Sequence, residues 1–413
     1  MPEMMTRLDC AALDLADPLA GFRERFALPP EVVYLDGNSL GALPRRTAGR
    51  LAELVQTEWG RDLITSWNQH GWIDLPSRVG DKIARLIGAN PGEVVVADST
   101  SVNLFKALGS ALDLTPGRSV VLSDTGNFPT DLYVAQGVIG LRGGAAALRL
   151  VEEAQLIDAI DAETAVVMLT HVNYRTGRLH DMAAVTAAAH RHGALVLWDL
   201  SHSAGALPVA LNAIDADFAV GCGYKYLNGG PGAPAFLFIA RRHQAAIRPP
   251  LSGWMGHAAP FAFDLDYRAA AGIARNLCGT PAILGLAALE VGVDLMLEAD
   301  LEALRAKSVA LGAGFAALVE QTCAGRFELA SPRDPSARGS QISLRHPQGY
   351  AIIQALIARG VIADFRAPDI MRFGFAPLYL RHVDIWDAVA QLADIMQSGA
   401  WDTPDYHRRT AVT

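Results

Sequence analysis

Lys225 stands in Gly221-Cys222-Gly223-Tyr224-Lys225-Tyr226-Leu227-Asn228-Gly229-Gly230-Pro231-Gly232, a glycine-rich loop directly after an apolar run that reads as a strand. The chain has four lysines, and the other three, Lys82, Lys106 and Lys307, fall inside helical patterns with polar positions to spare. A lysine that forms a Schiff base must lose its proton to attack an aldehyde. Burial and nearby positive charge promote that loss, and glycines let backbone approach a ligand closely. A loop lysine is ordinarily just solvated; here the scarcity of lysine, the flanking tyrosines and the glycines favour the chemical reading.

Three further places carry residue types that fit such a group. Asp199 ends the apolar run Leu195 to Trp198 and leads into Leu200-Ser201-His202. A carboxylate inside a fold needs a cation to stay ionised, and a protonated pyridine nitrogen is one; a helix-capping Asp is the alternative. Thr100 and Ser101 follow the run Val94 to Val96 and open a helical pattern. Free N–H groups, a partial positive charge and two hydroxyls can hold a phosphate there, or the pair can be an ordinary cap. The chain has no GxGxxG or GxxxxGK[ST], so such a phosphate is not expected to belong to a nucleotide. Arg372 lies in an apolar strand pattern, where a guanidinium needs a planar anion, either a ligand carboxylate held bidentately or Asp369.

The elements that must position these residues alternate from about 93 to 240. Short β-branched or apolar runs at Val94 to Val96, Val120 to Leu122, Ala165 to Leu169, Leu195 to Trp198, Phe218 to Val220 and Phe236 to Ile239 are mostly separated by helix-length patterns. That is the signature of βαβ units around a mainly parallel sheet covered on both faces, an α/β fold with its ligand beyond the strands' carboxyl ends. The spacing predicts an N-terminal arm over 1–42, a large cofactor-binding domain over 43–300 and a small C-terminal α+β domain over 301–413. Within these, helices are expected near 45–58, 76–88, 349–359 and 384–398, with one long helical stretch over 281–320.

At 413 residues, 51% hydrophobic and 19% charged, the chain is long enough for two folded domains. The formal charge of −8 gives no basic face for a phosphate backbone, so no nucleic-acid partner is expected. No run reaches the roughly 18 apolar residues of a membrane span and no signal peptide is visible, so neither a membrane nor export is expected. Cys10, Cys222, Cys278 and Cys323 stand far apart with no CxxC, which argues against disulfides and a zinc site and for a reducing cytoplasm.

These residues, with YLDGNSLG at 34–41, SWN at 66–68, FPTD at 128–131, HVNYRTG at 171–177, GYKYLNGGPGAP at 223–234, SGWMGH at 252–257 and RFGFAPLY at 372–379, reach a known pattern. From about residue 20 to 400 the chain resembles the fold-type I pyridoxal-phosphate enzymes of the class V aminotransferase group, and within that group the kynureninase family. The resemblance implies pyridoxal 5′-phosphate on Lys225 and no metal, with Asp199 at the pyridine nitrogen and His202 near it. It also implies that Thr100, Ser101 and Tyr224 reach the phosphate and that Phe128 stacks on the ring. Pro129, Thr130, Asp131 and Thr170 complete that cofactor site. Trp254 and Thr280 are expected to reach it from the partner subunit of a homodimer. Arg372, Asn38, Ser39 and Trp67 are expected at the substrate. The implied reaction is hydrolysis of L-kynurenine, with 3-hydroxy-L-kynurenine as a second candidate, to anthranilate and L-alanine in tryptophan catabolism or NAD biosynthesis. Lys225, Tyr224 and Asp199 are its catalytic residues. A cysteine desulfurase would instead need a mobile late cysteine such as Cys323, and a pyridoxal-phosphate regulator would need a DNA-binding module that the residues before Tyr34 are too few and too acidic to supply.

Overall fold

The computed structural model describes residues 5–410. Its centre is a seven-stranded sheet in the order Val94–Val96, Phe236–Ile239, Phe218–Gly221, Leu195–Asp199, Thr164–Thr170, Val120–Asp124, Ala147–Val151. The five strands from Phe218–Gly221 to Ala147–Val151 run parallel, and Phe236–Ile239 runs antiparallel to both of its neighbours. The mainly parallel sheet expected from the runs is therefore present.

Those runs are continuous because both faces are covered. In Leu195–Asp199, Val196 and Trp198 enter one core cluster while Leu197 enters the other. Alternate side chains of a strand point to opposite faces, so a strand buried on both sides reads as unbroken apolar sequence. Thr100–Leu114 packs Leu104, Ala107 and Leu108 on one face; Leu75–Leu86 and Ile283–Leu297 cover the other. Ala147–Val151 is an edge strand that the pattern missed, since its residues are all partly or fully exposed and carry Arg149 at the centre.

The C-terminal part builds an antiparallel sheet in the order Asp364–Arg366, Ile370–Gly374, Gln341–Arg345, Glu328–Leu329. The single helical stretch expected over 281–320 is two helices, Ile283–Leu297 and Leu301–Thr322. Asp300 divides them by accepting a bond from Ala303 N at 2.9 Å as the N-cap of the second.

The N-terminal segment is bound to the rest at several points. Val33–Tyr34 pairs in parallel with Val361–Ile362, Gly374 N donates to Leu35 O at 2.7 Å, and Gly41 N donates to Tyr224 O at 2.8 Å. It therefore joins the strand carrying Arg372 to the loop carrying Lys225. The other lysines do lie in helices, but two are not at polar faces: Lys106 pairs with Asp98 at 2.7 Å and Lys307 with Asp17 at 2.7 Å, both ammonium groups buried.

Candidate active site

A cavity of about 300 Å³ opens where the parallel strands end, lined by Thr100, Ser101, Phe128, Thr130, Asp131, Thr170, Asp199, His202, Tyr224 and Lys225, with Leu104, Tyr174 and Ser201. The sheet accounts for this convergence. Thr170 and Asp199 are register partners at the carboxyl ends of adjacent parallel strands, and Lys225 follows the next strand. Ten of the expected residues thus meet in one place.

Lys225 Nζ lies 2.9 Å from His202 Nε2. Burial, and then the charge of Lys225, hold His202 well below the usual imidazole range, so its ring is neutral and can exchange a proton with the lysine. His202 Nδ1 is buried without a partner among the described residues. Asp199 accepts from Ser201 N at 2.8 Å and Ser201 Oγ at 2.6 Å through a single oxygen. Burial pushes the Asp199 carboxyl up, and burial with the Asp199 charge pushes Asp131 well above the carboxylate range. Two buried acids facing one cavity call for a cation between them.

The Thr100–Leu114 helix points its N-terminus at the same space. Ser99 is its cap, accepting from Val102 N at 3.4 Å. The capping role proposed as the alternative for Thr100 and Ser101 is therefore already filled, and among the described residues neither hydroxyl has a protein partner. Free hydroxyls, free N–H groups, a lysine and an acid pair fit a phosphorylated pyridine aldehyde: the anion at the helix start, the carbonyl at Lys225, the ring nitrogen toward the acids. Tyr224, raised by burial, lies with its ring 5.9 Å from Lys225 Nζ.

Arg372 is fully buried, and its partner is Asp364, not Asp369. Nε donates to Asp364 Oδ1 at 2.6 Å and Nη2 to Oδ2, while Nη2 also reaches Ser39 Oγ at 3.1 Å and Nη1 reaches the Tyr174 carbonyl at 2.7 Å. Asp369 instead pairs with Arg345 at 3.1 Å. Arg366 joins Asp364 at 2.8 Å. Asn38 is buried with Nδ2 3.4 Å from Gln341 Oε1. Tyr174, which stands edge-on to Phe128 at 5.2 Å, and Ser201 were not singled out from sequence, although both lie inside stretches read as motifs.

Seven expected residues do not line this cavity: Arg372, Asn38 and Ser39, placed above, and four others. Pro129 begins the Pro129–Leu141 helix; Trp67 packs edge-on to Trp72 at 6.0 Å. Trp254, 37% exposed, stands 5.7 Å from Phe261 and lines a separate cavity with Phe263 and Tyr267. Thr280 lines a neighbouring cavity of about 510 Å³ that shares Thr100 and Tyr224 with the first. Cys323 is buried at the end of Leu301–Thr322 and lines a different cavity, so it offers Lys225 no thiol.

Solved structures share this architecture. The chain is similar to the cysteine desulfurase of Thermococcus onnurineus NA1, with a TM-score of 0.78 and 17% identity over 92% of this chain and 98% of that one. It is also similar to a cystine C–S lyase, with a TM-score of 0.77 and 18% identity over 88% and 98%. These likenesses show the fold-type I architecture, with the cavity at the carboxyl ends of its parallel strands. Curated relatives narrow the class. Kynureninases of Burkholderia pseudomallei (strain 1106a) and Pseudomonas fluorescens are 55% and 51% identical to it, each over 99% of this chain and 100% of its own length. The family model of the kynureninase C-terminal domain matches residues 304–392. The chain belongs to the kynureninase family.

Proposed function

We propose that this chain hydrolyses the Cβ–Cγ bond of L-kynurenine to anthranilate and L-alanine, with pyridoxal 5′-phosphate held at Lys225. The observation that carries the reading is the cavity itself: a lysine, a neutral imidazole, two buried acids and an uncapped pair of hydroxyls at a helix start around about 300 Å³. The bound cofactor supplies an electron sink for the carbanion formed when Cα loses its proton. Lys225 takes and returns that proton, and His202, kept neutral by burial, is placed to relay it. Asp199, oriented by Ser201, holds charge at the ring nitrogen. Arg372, fixed by Asp364 and flanked by Ser39, would hold the substrate carboxylate; Tyr224, which lines the same cavity as Lys225, would serve as the acid for the charge that develops as the bond breaks. Trp254 and Thr280 would complete the site across a homodimer, Trp67 and Trp254 would bound the aryl pocket, and Asn38 would lie at the substrate. A place in tryptophan breakdown or in supply of an NAD precursor follows from the reaction, and four free cysteines suit a reducing cytoplasm.

Product analysis tests this. Purified enzyme with L-kynurenine should release anthranilate and alanine in equal amounts, 3-hydroxy-L-kynurenine should be compared beside it, and Lys225→Ala should release neither product. Turnover by Lys225→Ala at the wild-type rate would end the assignment.

A further inference from the structure

Lys106 has no exposed surface, and its ammonium makes two bonds: to Asp98 Oδ2 at 2.7 Å and to the carbonyl of Asn276 at 2.7 Å. A buried ammonium is costly unless paired and hydrogen-bonded, and an apolar residue of equal length would fill the space without that cost. What the charge secures is visible in its two acceptors. Asp98 has the left-handed φ of 52° and forms the turn that passes the strand Val94–Val96 into Ser99, the helix cap, and then Thr100 and Ser101. Ala235 N donates to the Asp98 carbonyl at 2.9 Å, so this turn is also tied to the strand that follows the Lys225 loop.

Asn276 begins the other wall. The stretch after it carries Cys278, whose carbonyl accepts from Met255 N at 3.1 Å, and then Thr280. Asp98, Ser99 and Thr100 face Cys278, Gly279 and Thr280 across the cavity of about 510 Å³, with Tyr224 at its border. Lys106 lines neither cavity but stands behind both walls of this one.

We infer that Lys106 is a positioning residue for the cofactor: through Asp98 and the Asn276 carbonyl it sets the Thr100–Ser101 turn and the Thr280 segment at the spacing the phosphate end requires. This rests on the reading that Thr100 and Ser101 receive the phosphate. Lys106 does not touch the reacting atoms, so its loss separates cofactor retention from turnover.

The test compares wild type, Lys106→Met and Asp98→Asn as holoenzymes, following loss of the visible absorbance of bound pyridoxal phosphate during dialysis. Asn tolerates the left-handed backbone at position 98, so Asp98→Asn breaks the ion pair and spares the turn. Each variant should release cofactor at least about tenfold faster, a size typical of losing an outer-shell partner. kcat at saturating cofactor and KM for L-kynurenine should stay near wild type, and the double variant should release cofactor no faster than the worse single one. If Lys106→Met does not fold, Asp98→Asn decides alone. Release within twofold of wild type, with only the unfolding midpoint lowered, overturns the inference and leaves Lys106 a structural ion pair. A wild-type protein that shows no bound-cofactor absorbance removes the cofactor reading itself, and this inference with it.

Discussion

At the scale of residues, the site is a problem in charge. Asp131 and Asp199 share one cavity, and burial raises both, so a protonated ring nitrogen beside them would relieve a cost the chain itself builds in. The carboxylate clamp has its own balance. Arg372 and Arg366 meet Asp364, and Asp36, on the arm segment, is pushed up to about 7 by burial and by Asp364. Tyr34, Tyr226 and Tyr379, all raised by burial, also face this group and stay neutral. With Asp36 protonated the cluster keeps one net positive charge for a substrate carboxylate; with Asp36 ionised it keeps none. KM for L-kynurenine should therefore rise as pH passes upward through about 7, and Asp36→Asn should hold the low value to higher pH. The same sign applies to stability: a raised carboxyl supports the fold below its unfolded value near 3.9 and loses that support as pH rises through the folded one. Parallel KM–pH curves for the two proteins would show that Asp36 is not the titrating group.

At the scale of elements, Asp217 anchors the start of Phe218–Gly221 at the end away from the cavity. Its buried carboxylate accepts from Arg242 at 2.7 Å, His243 at 2.7 Å, His190 at 2.9 Å and Val196 N at 2.9 Å. Although burial opposes it, the bonds from both histidines and Val196 hold Asp217 far below the carboxylate range, and the Asp217 bond raises His190. The depressed acid contributes stability above its unfolded value near 3.9 and loses it as pH falls through the folded value. The raised His190 contributes fully below about 6.5 and loses its part as pH rises through its folded value. Asp217→Asn should lower the unfolding free energy by about 3 kcal/mol at pH 6, the order expected for breaking a buried ion pair, and by less at pH 9. Denaturant melts at the two pH values measure this; equal losses would remove His190 from the account.

At the scale of the whole molecule, Trp254 and Thr280 stand outside the cavity that holds Lys225. Trp254 stands with Phe261, Phe263 and Leu265 in an exposed apolar patch, separate from Lys225, and such patches mark interaction surfaces. In a homodimer whose Trp254 serves the partner's site, mixing Trp254→Ala with Lys225→Ala subunits should restore anthranilate production above either alone, because one hybrid site carries both wild-type residues. No recovery, with subunit exchange confirmed independently, would assign both residues to the same subunit's site.

Much of the fold was legible in the amino-acid order because its strands are buried on both faces and so read as unbroken apolar runs between helices. Lys225, Asp199 and the Thr100–Ser101 turn could be placed by local rules, since strand ends, glycine loops and helix starts are local objects. Three things were not local. The edge strand Ala147–Val151 lacks the apolar signal because one side faces solvent; the break at Asp300 hides in a continuous helical pattern; Arg372 chose Asp364 over the nearer Asp369 because the antiparallel pairing sets Asp364 directly opposite Arg372. The residue types thus determined which groups could do chemistry. Only the tertiary structure decided which acid meets which base, because a charge taken out of water settles on the partner that packing brings within hydrogen-bond reach, at whatever distance along the chain that partner stands.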